Sequence, residues 1–68
     1  METSMKDKNY NLVSVLYHTL QGSETCSTYL QDAEKAGDKE LADFFRETNN
    51  RYREIADQAK ELLSPRLK

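Results

Sequence analysis

The sequence predicts an all-α protein built as a two-helix antiparallel hairpin. Glycine and proline are scarce, with two glycines and one proline in 68 residues, so few residues interrupt a helix. Near the middle of the chain, Gly37 can end one helix and Asp38 can cap the next. Apolar residues recur at helical spacing on both sides of this pair. Together these features predict a hairpin that turns at residues 37–38.

Residues 1–8 are short, polar and aperiodic, and we expect them to form a frayed tail. The first helix is predicted over about residues 9–36, with Asn9 or Asn11 as its cap. Its inward stripe is predicted to consist of Val13, Leu16, Leu20, Ser27 and Leu30.

The first half of this helix, Asn9 to Ser23, carries no Asp, Glu, Lys or Arg. A helix with one buried face normally carries charge on the opposite face. We therefore expect this half to contact more than its hairpin partner. The predicted interface residues are Tyr10, Val13, Leu16, Tyr17 and Leu20.

The segment from Gly22 to Thr28 is rich in small residues of poor helix propensity. Two interpretations remain open at this point: small residues permit another helix to approach closely, or the helix bends here. Close packing is the favoured interpretation, since tertiary contacts commonly override propensity.

The second helix is predicted over about residues 39–63, with Glu47 and Arg51 as a favourable pair four residues apart. Ser64-Pro65 is predicted to end it, and residues 64–68 form a C-terminal tail. Its predicted stripe contains Leu41, Phe44 or Phe45, Thr48, Tyr52, Ile55, Ala59 and Leu62.

Folding the chain at Gly37 brings together residues whose numbers sum to about 75. In that register Leu30 meets Phe44 or Phe45, and Leu20 meets Ile55. A single hairpin leaves each helix half-covered. We therefore expect two copies to pair as a homodimer that forms a four-helix bundle.

Composition limits the partners that we expect. The net charge is −2 and there is no basic patch, which argues against a nucleic-acid partner. No apolar run is long enough to span a bilayer, so no membrane partner is expected. Cys26 is the single cysteine, and with no signal peptide this predicts a cytoplasmic location.

Metal binding has weak support in the sequence. Di-iron bundles use Glu-x-x-His steps, and the chain has none; His18 has no carboxylate three or four residues away. The remaining weak candidates are His18, Glu24, Glu54 and Asp57. In the predicted register Glu24 lies level with Arg51, which predicts a structural ion pair between them.

Cysteine and tyrosine are the other residue types in the chain that could carry chemistry. Cys26 has no histidine placed to activate it, so we expect a packed, inert thiol. The four tyrosines are expected in the core or at an interface. No catalytic residue and no cofactor are predicted.

Several of these residues resemble the ferritin-like helical hairpins, including short encapsulated ferritins, rubrerythrin-type domains and their metal-free relatives. The resemblance covers about residues 10–63 and rests on Glu24, Tyr29, Asp32-Ala33-Glu34, Gly37-Asp38-x-Glu40-Leu41 and Phe44-Phe45. It implies a hairpin that pairs into a four-helix bundle. The iron-ligand positions of the encapsulated ferritins would fall at about Gly22, Tyr52 and Ile55, so the resemblance is closer to the metal-free relatives.

The leading hypothesis is a small non-enzymatic hairpin protein that acts through self-association and contact with an unidentified protein. The alternative is a degenerate ferritin-like protein that binds iron with ligands shared between subunits, including Glu24. A third and weaker hypothesis is a small-molecule binder with a tyrosine-lined gap between hairpins.

Overall fold

The computed structural model describes residues 4–67, with side chains described from Lys8 onward. The chain forms two α-helices, α1 (Ser4–Lys35) and α2 (Lys39–Leu63), followed by a short 3-10 helix (Ser64–Leu67). Within the described residues there is no strand, and α1 packs along α2. The predicted all-α helical hairpin is confirmed.

The first helix begins earlier than the sequence predicts. α1 starts at Ser4 rather than Asn9, so the expected tail of residues 1–8 is helical from Ser4 onward. Residues 1–3 lie outside the described part. Extending a helix adds one hydrogen bond per residue without a new nucleation step, so a polar segment can continue a helix that apolar residues stabilise further along the chain.

The reversal between the helices is a glycine-dependent helix end followed by a capped start. Gly37 has φ +73°, a left-handed conformation that costs glycine little. The amides of Gly37 and Asp38 donate to the carbonyls of Glu34 at 3.1 Å and Ala33 at 2.9 Å, which satisfies the last carbonyls of α1. Asp38 Oδ1 then accepts from the Leu41 amide at 3.1 Å and caps α2.

The second helix ends where the sequence places the end. α2 stops at Leu63, and the Ser64 amide still donates to the Lys60 carbonyl. The predicted C-terminal tail of residues 64–68 forms a 3-10 turn as far as Leu67. Arg66 Nε donates to the Leu62 carbonyl at 3.1 Å, which holds this turn against the end of α2.

The interface between α1 and α2, here called the seam, is built from small side chains. Its buried residues are Thr19, Cys26 and Ala33 on α1, and Ala42, Asn49, Ala56 and Ala59 on α2. Three of these on each helix are seven residues apart, the repeat of helices that wind around each other. No large side chain in the described part is fully buried.

The two predicted stripes do not form this seam. Leu20 and Ile55, which were predicted to meet, are 46% and 45% exposed. Leu20 lies seven residues before Ser27, so it shares the side of the seam on which Ser27 bonds Asn49. Ile55 lies two heptads after Leu41, so it shares the opposite side of the seam with Leu41. Small residues let the two backbones approach closely. Each helix is therefore turned about its own axis so that its small residues face the other helix, and the larger residues lie at the edges of the seam.

Candidate interaction surface

One edge of the seam, here called the polar side, is closed by hydrogen bonds between α1 and α2. Ser23 Oγ donates to Asn49 Oδ1, and Asn49 Nδ2 donates to Ser27 Oγ at 3.0 Å. Ser27 Oγ in turn donates to the Ser23 carbonyl at 3.2 Å. Asn49 is buried, and these bonds satisfy both atoms of its amide.

Toward the turn, the polar side continues as a charged cluster. Arg46 donates from Nη2 to Glu34 Oε2 at 3.1 Å and from Nη1 to Asp43 Oδ1 at 2.9 Å. Lys39 lies 3.7 Å from Asp43 on the same helix. These side chains are at least half-exposed, so the cluster contributes little free energy to folding.

The opposite edge, here called the aromatic side, is packed around rings. A Cβ on Gly22 would lie 2.8 Å from the Tyr52 ring, so only glycine permits this contact without a shift of the ring. Tyr29 and Phe45 pack with ring centroids 5.7 Å apart, and Phe44 packs on Phe45 at the same separation. Of the two interpretations of the small-residue segment, the contact between Gly22 and the Tyr52 ring supports close packing, and α1 is one helix through Gly22.

Large apolar residues continue the aromatic side along both helices. On α2 one row repeats every seven residues and consists of Leu41, Thr48, Ile55 and Leu62. On α1 the matching row consists of Val15, Gly22 and Tyr29. The large members of both rows remain about half-exposed. This edge is therefore an extended apolar surface that the single chain leaves open.

Two shallow grooves flank the turn, one on each side of the seam. The groove on the aromatic side has a volume of about 270 Å³ and is lined by Tyr29, Asp32, Ala33, Ala36, Asp38, Leu41 and Phe45. The groove on the polar side has a volume of about 250 Å³ and is lined by Glu34, Gly37, Asp38, Lys39, Ala42, Asp43 and Arg46. The first offers rings and a leucine, whereas the second offers mainly charge.

The predicted interface residues of α1 form a second apolar surface. Tyr10, Val13, Tyr17 and Leu20 are exposed, and Leu16 is half-buried. Tyr17 is also bonded through its hydroxyl to Gln21 Nε2 at 3.0 Å. Their role in an interface stays a prediction, because one chain alone shows only that they are accessible.

The predicted ion pair between Glu24 and Arg51 does not form within the chain. Arg51 Nε instead lies 3.4 Å from Glu47 Oε2, four residues earlier on α2. Glu24 and Arg51 are both exposed. The reason is that the seam is centred on Cys26 and Asn49, so Glu24 and Arg51 lie outside it, and Arg51 takes its neighbour on the same helix.

The weak metal candidates are not brought together. Among the described residues, no group of three His, Cys, Asp or Glu side chains is arranged to hold a metal ion. His18, Glu24, Glu54 and Asp57 are all exposed. His18 Nδ1 lies 2.9 Å from the Ser14 carbonyl one turn earlier and donates to it in the tautomer that places a proton there.

Cys26 and the tyrosines occupy different environments. Cys26 is a free, buried cysteine of the seam. Tyr29 lines the groove on the aromatic side and Tyr52 covers Gly22, whereas Tyr10 and Tyr17 belong to the other apolar surface. The tyrosines therefore do not converge on one site.

Neither α1 nor α2, as described, contains a segment long and apolar enough to cross a membrane. The expected cytoplasmic location and the expectation of no nucleic-acid partner remain predictions.

The sequence interpretation missed Val15 and the row structure of the aromatic side. A signal was available, because Leu41, Thr48, Ile55 and Leu62 repeat at seven residues, as do the smaller residues Ala42, Asn49 and Ala56. Two rows of different side-chain size on different faces of one helix indicate that the small row packs against the nearest helix, because the distance between helix axes depends on the side chains at the contact. Reading all apolar residues as one stripe merged the two.

Comparisons with protein-family models, with curated protein sequences and with solved structures gave no match to this chain. The resemblance to the ferritin-like hairpins gains no support from them.

Proposed function

We propose that the chain is a non-enzymatic, homodimeric hairpin protein that acts through protein–protein contact, with two hairpins forming a four-helix bundle. One observation carries the proposal. The seam buries only small side chains, whereas large apolar side chains on both helices remain about half-exposed or more. An interaction protein needs such a surface, and a monomer gains nothing from exposing it.

The energetics favour a second copy. Complete burial of a Leu, Ile, Val or Phe side chain contributes about 1.5–3 kcal/mol, and the seam contains none of these side chains fully buried. A 68-residue chain commonly needs a disulfide, a metal or a partner to be stable. Cys26 is free, so no disulfide within the chain supplies this stability, and a partner chain that covers the exposed apolar rows would supply it.

The proposal extends to architecture and location. Pairing two hairpins would give the four-helix arrangement that the ferritin-like resemblance implies, supported here by the hairpin and its uncovered apolar rows. A cytoplasmic location is supported by the single free cysteine, because reducing compartments keep thiols unpaired. The chain has two separate apolar surfaces, so one can mediate self-association while the other binds an unidentified protein.

The test of self-association is the mass of the wild-type chain in solution. Sedimentation equilibrium over a micromolar concentration range should give twice the chain mass of 7.9 kDa, with dissociation only on dilution. Thermal unfolding should shift to higher temperature as protein concentration rises, since the dimer is the stable species. A folded monomer at all concentrations would refute the proposal.

Metal analysis of protein purified without chelators separates the iron-binding alternative from this one. We expect less than stoichiometric iron or manganese, and no change in metal content in Glu24→Gln. Glu24 is exposed and has no cluster around it among the described residues. One metal ion per chain or per dimer, lost in that variant, would instead establish the metal protein.

A further inference from the structure

We infer that the second copy covers the aromatic side, with the two hairpins running in opposite directions about a two-fold axis at the Gly22–Tyr52 layer. This inference rests on the proposed homodimer and assigns its surface and geometry. It places the second copy away from Tyr10, Val13 and Tyr17, which stay accessible to another protein.

The aromatic side is a better surface for a second copy than the polar side. The polar side already uses its groups within the chain, through the Asn49 network and the Arg46 cluster. The flanking row on that side of α2 is entirely basic and consists of Lys39, Arg46, Arg53 and Lys60. Covering it would remove charges from water at a high cost. The rows of the aromatic side carry no charge between Val15 and Tyr29 or between Leu41 and Leu62.

The spacing of the apolar rows on the aromatic side also suits a second helix interface. The exposed row of α2 repeats every seven residues over three intervals, from Leu41 to Leu62. This repeat keeps one row facing a neighbouring helix along its whole length when helices supercoil. The seam has the same seven-residue repeat. The supercoil that keeps the seam residues in contact would therefore also keep the exposed row facing a second helix along its length.

The midpoints of the two rows locate the two-fold axis. The α2 row from Leu41 to Leu62 has its midpoint between Arg51 and Tyr52, and the α1 row from Val15 to Tyr29 has its midpoint at Gly22. Gly22 contacts Tyr52, so both rows are centred on one layer. A two-fold axis through that layer places each helix antiparallel to its own copy. Leu41 then meets the mate's Leu62, Thr48 meets Ile55, and Val15 meets Tyr29.

The charges at the two ends of this surface favour one orientation of the second copy. Asp32 and Asp38 line the groove at the turn end. At the open end of the hairpin, opposite the turn, Lys8 continues the α1 row. Arg66 lies at the same end, where its Nε donates to the Leu62 carbonyl. Opposite orientation brings the carboxylates of one copy toward the cations of the other, whereas the same orientation would bring four carboxylates together. The groove at the turn would receive apolar side chains from the open end of the mate.

The experiment combines a charge substitution with cross-linking. Ile55→Glu should raise the dimer dissociation constant at least about 100-fold, because it buries an unpaired charge at the interface. Leu20→Glu is the matched control on the other surface, where residue 20 is similarly exposed, and should leave the constant within about threefold. Circular dichroism checks that both variants remain helical at high concentration.

Orientation is tested in a Cys26→Ala background with a short thiol-specific cross-linker. A mixture of Thr48→Cys chains and Ile55→Cys chains should give a cross-linked heterodimer in high yield, while each variant alone gives little. Glu47→Cys mixed with Ile55→Cys is the control, because Glu47 lies off the row. A mixture that fails to cross-link overturns the antiparallel geometry.

The outcomes distinguish this inference from the proposed function. If Leu20→Glu dissociates the dimer and Ile55→Glu does not, the inference is wrong and the homodimer stands. If wild-type protein is a folded monomer, the proposed function itself fails. Selective dissociation by Ile55→Glu together with the 48–55 cross-link supports both.

Discussion

The two edges of the seam join the same pair of helices through different kinds of contact. On the polar side, Ser23, Ser27 and Asn49 bond one another across the helices, and Arg46 is held by two carboxylates. On the aromatic side, Tyr52 and Phe45 cover only the seam itself, and the leucines beyond them stay exposed. The difference teaches that hydrogen bonds and ion pairs within the chain link the helices along one edge, whereas the other edge leaves large apolar side chains exposed.

A second contrast lies in how each edge fixes the alignment of the helices. A buried asparagine whose amide oxygen and nitrogen both have partners on the other helix favours one register, because a shift leaves these atoms without partners. Ring packing tolerates small shifts but gains more free energy from burial. We therefore expect substitutions on the aromatic side to change stability most, and those on the polar side to change it less.

The largest effect is expected at Phe45, which is half-buried between Tyr29 and Phe44. Phe45→Ala should lower the free energy of unfolding by about 2–3 kcal/mol, the lower range for removing a ring that is not fully enclosed. Urea denaturation at one fixed protein concentration measures it. The control Phe44→Ala removes a ring that is 61% exposed and should cost less than about 1 kcal/mol. Equal costs would contradict the inward role of Phe45.

The next effect tests the contact between Gly22 and Tyr52. Gly22→Leu should destabilise the protein by about 2 kcal/mol, because the added side chain overlaps the Tyr52 ring. In a Tyr52→Ala background the same change should cost nothing or stabilise, since it then improves helix propensity. Gln21→Leu, at the exposed neighbouring position, serves as the control. An identical cost in both backgrounds would show that the ring is not the obstacle.

On the polar side, Asn49→Ala should lower the free energy of unfolding by about 1–2 kcal/mol, because Ser23 Oγ loses its acceptor and Ser27 Oγ loses its donor. Thermal or urea unfolding measures the change. Asn50→Ala removes the same side chain from an exposed position and should change stability by less than about 0.5 kcal/mol. The prediction fails if the two alanine variants are equally stable.

The smallest effect is expected for the exposed ion pair near the turn. Glu34→Gln removes the charge that lies 3.1 Å from Arg46 and should cost less than about 1 kcal/mol at low salt. The difference from wild type should vanish near 1 M salt, where the screening length falls to about 3 Å. Glu54→Gln, another exposed glutamate of the chain, gives the baseline. A large, salt-independent cost would assign the cluster a structural role.

Several features could be predicted from the sequence because they depend on interactions between residues close together in the chain. Gly37 is suited to the positive φ of a helix end, and Asp38 to the amides of a helix start, whatever the rest of the chain does. The register also follows from the turn: Gly22 with Tyr52, and Tyr29 with Phe45, each sum to 74, close to the predicted 75. The pair of Glu47 and Arg51 was visible as a four-residue spacing.

The rotation of the helices about their own axes was decided only by the tertiary structure. The period of the large apolar residues identifies surfaces that need cover, but it does not say which neighbour covers them. Close approach of two helices favours the smallest side chains, so Ala33, Ala42 and Ala56 are buried in the seam. That choice left Ile55 exposed and separated Glu24 from Arg51. By itself the sequence determined the hairpin, because turn and caps act within a few residues. Which face closes and which stays open depended on both helices at once, because packing is settled by the combined shape of their side chains.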